Sequence, residues 1–180
     1  MHKSSAGFSL IELIVTTTLV GILAALATPS FINTLRNNRL AAYTNEFTTA
    51  LTLARTESVK RNVIVGVCRS ASATSKKPSC DSGSGNGGWE NGWLVFADLN
   101  GSKSFDDGDA ILYRRGALTG GVTVIANGNI TNRLIFTSRG ILSPDSFGSI
   151  KLDDNYGGLR VICMTITGRA RLAPGGVTEC

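Results

Sequence analysis

The chain has 180 residues, 42% hydrophobic and 17% charged, with a formal charge of +5 and a pI near 9.3. That balance excludes an intrinsically disordered chain and fits one domain with an appendage. The single histidine is His2, which argues against histidine-based acid–base catalysis and multi-histidine metal sites, and no cofactor or metal is expected.

The first seven residues, MHKSSAG, are short, polar and weakly basic through Lys3. Residues Phe8 to Ala27 then run FSLIELIVTTTLVGILAALA with one charge, Glu12. Twenty apolar residues at ~1.5 Å each span a hydrocarbon core of ~30 Å. A secretory signal would place its small-residue cleavage site after the apolar stretch. Here the small residue, Gly7, precedes it, so cleavage after Gly7 would leave the stretch on the mature chain. Glu12 stands out because a carboxylate in a membrane segment is costly, and such groups are functional candidates. A new amino group on Phe8 would lie about one helical turn from Glu12, and in stacked subunits such a pair acts as a register device. Arg36 and Arg39 follow the span closely, so loop charges leave its orientation open.

Helical spacing continues through Phe31, Leu35, Tyr43, Phe47, Leu51, Ala54 and Ser58, with Arg39 filling one gap. Pro29 is expected to kink this helix, and Asn62 followed by Val63-Ile64-Val65 to end it. The resulting helix is too long for one compact domain. Its first part needs lipid or other subunits, and its second part needs a sheet.

Beyond Arg61 the chain reads as strands: Val63–Cys68, Gly92–Ala97, Ala110–Arg115, Val122–Ala126, Arg133–Thr137, Ser149–Leu152 and Leu159–Thr167. Turn pairs such as Asn100-Gly101, Asp107-Gly108, Gly120-Gly121, Asn127-Gly128 and Gly157-Gly158 separate them. The fold class is α+β, one long helix packed on a mainly antiparallel sheet. The boundaries are 1–7 leader, 8–28 apolar helix, 29–61 amphipathic helix and 62–180 β-rich body. Ser70 to Gly88 is low in complexity and is expected to be flexible except where Cys80 ties it.

Four cysteines, none in a C-x-x-C pair, argue for two disulfides in an exported protein and allow three pairings. Cys68–Cys80 and Cys163–Cys180 are favoured because each closes one local loop. The acidic stretch Asp98 to Asp109 departs from calcium-loop spacing and reads as a solvated hairpin tip. The glycine-rich run from Gly85 to Gly88 opens no helix and reads as linker. Trp89 and Trp93 read as core anchors. Arg169 and Arg171 alternate across Ala170 in an exposed turn, so an extended backbone points both to one side. Paired guanidinium groups suit phosphate oxygens, although such a pair can also simply solubilise a strand end. Arg139, Lys151 and Arg160 are further candidates for the same patch.

Gly7-Phe8-Ser9-Leu10-Ile11-Glu12-Leu13 resembles the prepilin cleavage and N-terminal motif of type IV pilins and pseudopilins. The resemblance implies a pilin-like fold and cleavage after Gly7 by a prepilin peptidase. It further implies methylation of the Phe8 amine, Glu12 as the assembly residue, and major and minor pilins as partners. It places the chain in the inner membrane with its body in the periplasm, assembling into a surface pilus or pseudopilus. The segments Ala54 to Asn62 and Gly92 to Gly101 resemble the FimT/GspH group of minor pilins and pseudopilins. Gly168-Arg169-Ala170-Arg171 matches the GRxR motif of FimT-type pilins, which bind DNA during uptake. By that resemblance Gly168, Arg169 and Arg171 present and contact DNA phosphates without reading sequence. The other reading is a GspH-like pseudopilin of type II secretion with a purely structural role.

Overall fold

A computed structural model describes residues 7–83, 88–127, 129–146 and 148–180. The leader positions 1–6, the glycine-rich run 85–87 and Gly128 of the Asn127-Gly128 turn lie outside the described residues. The chain divides into two compact units, Met1–Asn38 and Arg39–Cys180.

In the first unit the helix α1 (Leu10–Arg61) begins. Ser9 caps it, its Oγ accepting the Glu12 backbone N–H at 3.3 Å, which satisfies one of the donors that a helix start leaves without a partner. Glu12 sits in the first turn, where the helix dipole favours a carboxylate. Thr17, Thr18, Thr28 and Thr34 each donate their hydroxyl to the carbonyl four residues back, so these side chains need no water. Leu10, Ile11, Leu13, Ile14 and Leu19 remain exposed. Among the described residues, α1 is long and apolar enough to cross a membrane, and it runs on through Pro29 without a break.

In the second unit α1 buries Leu40, Thr44, Phe47, Leu51, Ala54 and Ser58. The alternating steps of three and four residues make one stripe. The expected face was one position off at its start. Thr44 is buried instead of Tyr43 because its hydroxyl bonds the Leu40 carbonyl at 2.7 Å, whereas the Tyr43 hydroxyl reaches Thr119 Oγ1 at 2.9 Å. The helix ends where expected. Asn62 adopts φ 55, its N–H bonds the Val59 carbonyl, and the Val63 N–H bonds the Ser58 carbonyl, a Schellman cap.

The remaining chain forms β1 (Ile64–Arg69), β2 (Trp93–Asp98), β3 (Ala110–Arg115), β4 (Thr123–Ala126), β5 (Arg133–Phe136), β6 (Gly148–Asp153), β7 (Leu159–Met164) and β8 (Ala170–Leu172). They make two antiparallel four-stranded sheets, ordered β3-β2-β1-β5 and β4-β6-β7-β8, where one sheet was expected. Val65, Val67, Trp93 and Val95 from the first sheet and Val124, Ile150, Leu152 and Ile162 from the second meet the helix stripe in one core. Trp89 and Trp93 are fully buried, and both stand edge-on to Phe47, with centroids at 5.5 Å and 4.9 Å. They are core anchors, as expected.

The opposite face of the first sheet is covered too. Cys68, Leu94 and Phe96 pack with Ala73 and Phe105 in a second cluster. The segment after Ser70 is therefore more fixed than a free linker: Ser70 Oγ bonds the Ser79 carbonyl at 2.6 Å, and Ala73 is 1% exposed. Disulfides join Cys68 to Cys80 and Cys163 to Cys180, each with Cα atoms 5.7 Å apart, and no described cysteine is free. The acidic stretch is the β2–β3 hairpin tip, and its carboxylates hold its own backbone. Asp98 accepts the Gly101 and Lys103 N–H groups at 2.7 Å each, and Asp109 accepts those of Leu99 and Asp106. Hydrogen bonds from Ser102 and then Asn100 keep the Asp106 carboxyl below its usual range.

Candidate phosphate-binding cleft

The β7–β8 hairpin turns through Ile166, Thr167 and Gly168. The Gly168 N–H bonds the Thr165 carbonyl at 2.8 Å, and the Thr165 N–H bonds the Arg169 carbonyl at 3.1 Å. With Gly168 at φ 77, this is the three-residue loop that closes with a glycine bulge. The sequence suggests an open turn for the whole C-terminal segment. Instead Ala170–Leu172 pairs with β7, because Ala170 can drop into the core opposite Met164. Three residues carry too little alternation to signal a strand.

Arg169 and Arg171 flank Ala170 and are exposed. Arg171 lies opposite Cys163, beside the disulfide to Cys180 that ties down the tail. Neither arginine enters an ion pair among the described residues. Together with Gly168 and Ala170 they face Leu51, Thr52 and Arg55 of α1 across a cleft of about 230 Å³. Arg55 is a member that sequence reasoning missed. It lies one position beyond the buried stripe residue Ala54, and helical spacing alone reads such a site as solvated surface.

The remaining candidates divide. Arg139 is exposed on the turn Thr137–Gly140, whose Gly140 carbonyl touches Gly168, but it is not among the residues that line the cleft. Lys151 shares a sheet face with Arg171 but is paired with Val161 two strands in from β8, and it does not line the cleft. Arg160 is separated from it as well. It pairs with Leu152 and lines a smaller recess with Leu172, Pro174 and Gly176, beneath the C-terminal tail. Even and odd positions of β7 point to opposite faces, which sets Arg160 and Arg171 on different sides. At the other end of the chain, Gly7 is open on all sides, Phe8 is 84% exposed and Glu12 is exposed.

A long N-terminal helix with an exposed apolar first part, whose second part packs on antiparallel sheets, defines a pilin-like protein. Two crystal structures of the type IV minor pilin FimU from Pseudomonas aeruginosa, in different crystal forms, share this fold. One has TM-score 0.59 at 22% identity, covering 79% of this chain and 96% of that one. The other has TM-score 0.56 at 22% identity, covering 78% and 98%. Residues 43–168 match the family described as Type II transport protein GspH, and residues 2–28 match the prokaryotic N-terminal methylation motif. No curated protein sequence matches. The chain belongs to the GspH family of pilins and pseudopilins.

Proposed function

We propose that this chain is a minor type IV pilin whose body binds DNA, without sequence preference, through Arg169 and Arg171 on the Gly168 turn, in support of DNA uptake and pilus assembly. The observation that carries the reading is two exposed guanidinium groups, free of carboxylate partners among the described residues and fixed on a hydrogen-bonded hairpin. Planar guanidinium donors suit phosphate oxygens, and the hydrogen-bonded hairpin fixes the backbone from which both extend. Arg139, exposed on the turn whose Gly140 carbonyl touches Gly168, is a further candidate contact. At the N-terminus, the methylation-motif match supports cleavage after Gly7, methylation of Phe8 and use of Glu12 in assembly with other pilins. The apolar helix would then hold the protein in the inner membrane, with the disulfide-bonded body in the periplasm.

Two phosphate contacts give a salt slope of about −1.8 for duplex DNA, at −0.9 each. The test is retardation of a labelled duplex by the full-length protein in detergent, at two salt concentrations. Arg169→Gln with Arg171→Gln should abolish retardation and lower transformation while the melting temperature stays unchanged. Undiminished retardation by that double variant would remove the DNA reading. A second reading, a structural pseudopilin of type II secretion, is favoured by the family description itself. A deletion strain that loses protein secretion and keeps transformation would select it.

A further inference from the structure

Arg55 is held in an unusual way for a helix surface arginine. Its Nε donates to the Gly140 carbonyl at 3.0 Å, across 85 residues of sequence. The same carbonyl oxygen is the atom against which the Gly168 backbone packs, since a Cβ built on Gly168 would fall within 3.0 Å of it. One arginine, the turn at Gly140 and the turn at Gly168 therefore form a single stack. Of the five guanidinium N–H donors, the bond to Gly140 uses one. The two terminal nitrogens form no hydrogen bond or ion pair among the described residues.

The surrounding charge is one-sided. Glu57, the nearest acid along the helix, is engaged by Arg61 and by Lys60 on the neighbouring turn, and the Arg61 hydrogen bond holds its carboxyl below the usual range. Among the described residues no carboxylate lines the cleft, whose polar lining residues are Thr52, Arg55, Arg169 and Arg171. Thr52 bonds its hydroxyl back to the Thr48 carbonyl at 2.8 Å. A concave site with three guanidinium groups and no internal anion concentrates positive potential.

We infer that Arg55 is the third cation of the site and that one backbone phosphate seats in the cleft between α1 and β8, clasped by Arg55, Arg169 and Arg171. The inference rests on the DNA reading above and specifies it: the phosphate is gripped from two elements instead of meeting an open patch. Arg55 also positions the hairpin through Gly140, so the test must separate contact from scaffolding.

The test follows binding of a fluorescent duplex to the full-length protein in detergent by anisotropy across a salt titration. Melting temperatures are measured in parallel. Arg55→Gln removes one phosphate contact, so the slope should fall in magnitude by about 0.9, with affinity lower by roughly fivefold at 0.15 M salt from counterion release alone. Arg55→Lys keeps the charge and should keep the slope. Thr52→Glu leaves the Gly140 bond intact and brings a carboxylate to the mouth, so it should weaken binding without a change in melting temperature. A purely structural Arg55 would lower the melting temperature in both arginine variants and leave the slope and the Thr52→Glu affinity at wild-type values, which overturns the inference. Failure is separable from that of the parent reading. If the wild type binds and Arg169→Gln with Arg171→Gln does not, while the Arg55 and Thr52 variants keep the wild-type slope, only the three-arginine cleft falls. If the wild type does not bind, both fall.

Discussion

Gly168→Ala tests whether the turn stack is as tight as its geometry requires. Two effects add. An alanine at φ 77 enters the left-handed region at a cost of about 1–2 kcal/mol. The new methyl would also come within 3.0 Å of the Gly140 carbonyl oxygen, a backbone atom tied by Arg55 and unable to swing aside as a side-chain end could. Forcing such an overlap costs typically ~1–3 kcal/mol. The sum, about 2–5 kcal/mol, corresponds to a drop in melting temperature of roughly 5–15 °C for a chain of this size. Gly157→Ala is the matched control, because Gly157 has φ 98 and nothing within 4 Å of a built Cβ, so it carries the backbone effect alone. Thermal unfolding of the wild type and both variants, followed by circular dichroism in detergent, reads the difference. Gly168→Ala should lose at least twice as much stability as Gly157→Ala. Equal losses would refute the close approach, and with it the idea that Gly140 sets the position of the arginine hairpin.

The Cys163–Cys180 bond closes a loop with sequence separation 17, so Cys163→Ser with Cys180→Ser should lower stability by about 3 kcal/mol in the chain-entropy picture, read as a shifted urea midpoint. An unshifted midpoint would show that the tail is held by other contacts. For Asp106, the folded carboxyl titrates below its unfolded value because Ser102 and Asn100 donate to the ionised form. Its contribution is complete above the unfolded pKa of about 3.9 and is lost as pH falls through the folded value. The fall in urea midpoint between pH 5 and pH 2.5 should therefore be smaller in Asp106→Asn than in the wild type, and an equal fall would contradict the assignment.

The helix and most strands were legible because their signals are local. Asn62 marks the helix end through a left-handed residue, and Val65, Val67 and Val95 alternate as a half-buried strand must. The partition into two sheets was not legible, since alternation tells which face a residue takes and says nothing about which strand is its neighbour. Strand β5 joins the first sheet beside β1 although β4, just before it, joins the second. At the site, Arg169 and Arg171 could be read from spacing. Arg55 could not, because its importance depends on a hydrogen bond to Gly140 that only the folded chain creates. Arg160 is the converse case. It is close in sequence to the pair, but strand parity turns it to the other side of the sheet.

The extent of the family match bears on how the two readings of function divide. It covers residues 43–168, which include Arg55, Gly140 and Gly168, and it stops before Arg169 and Arg171. The scaffold of the cleft thus lies inside the matched span, and a structural pseudopilin could use the same turn stack simply to tie its last hairpin to the helix. What would turn that scaffold into an anion site is the pair of arginines beyond it, with no carboxylate lining the cleft among the described residues. Even then three contacts amount to a slope of about −2.7, too little for tight binding by one subunit at physiological salt. Affinity useful for uptake must come from several cationic sites engaging one DNA molecule, where each further contact is effectively intramolecular. A DNA-binding pilin of this design should therefore show length-dependent affinity once assembled and nearly length-independent affinity as a monomer, whereas the structural pseudopilin has no reason to distinguish DNA lengths in either state.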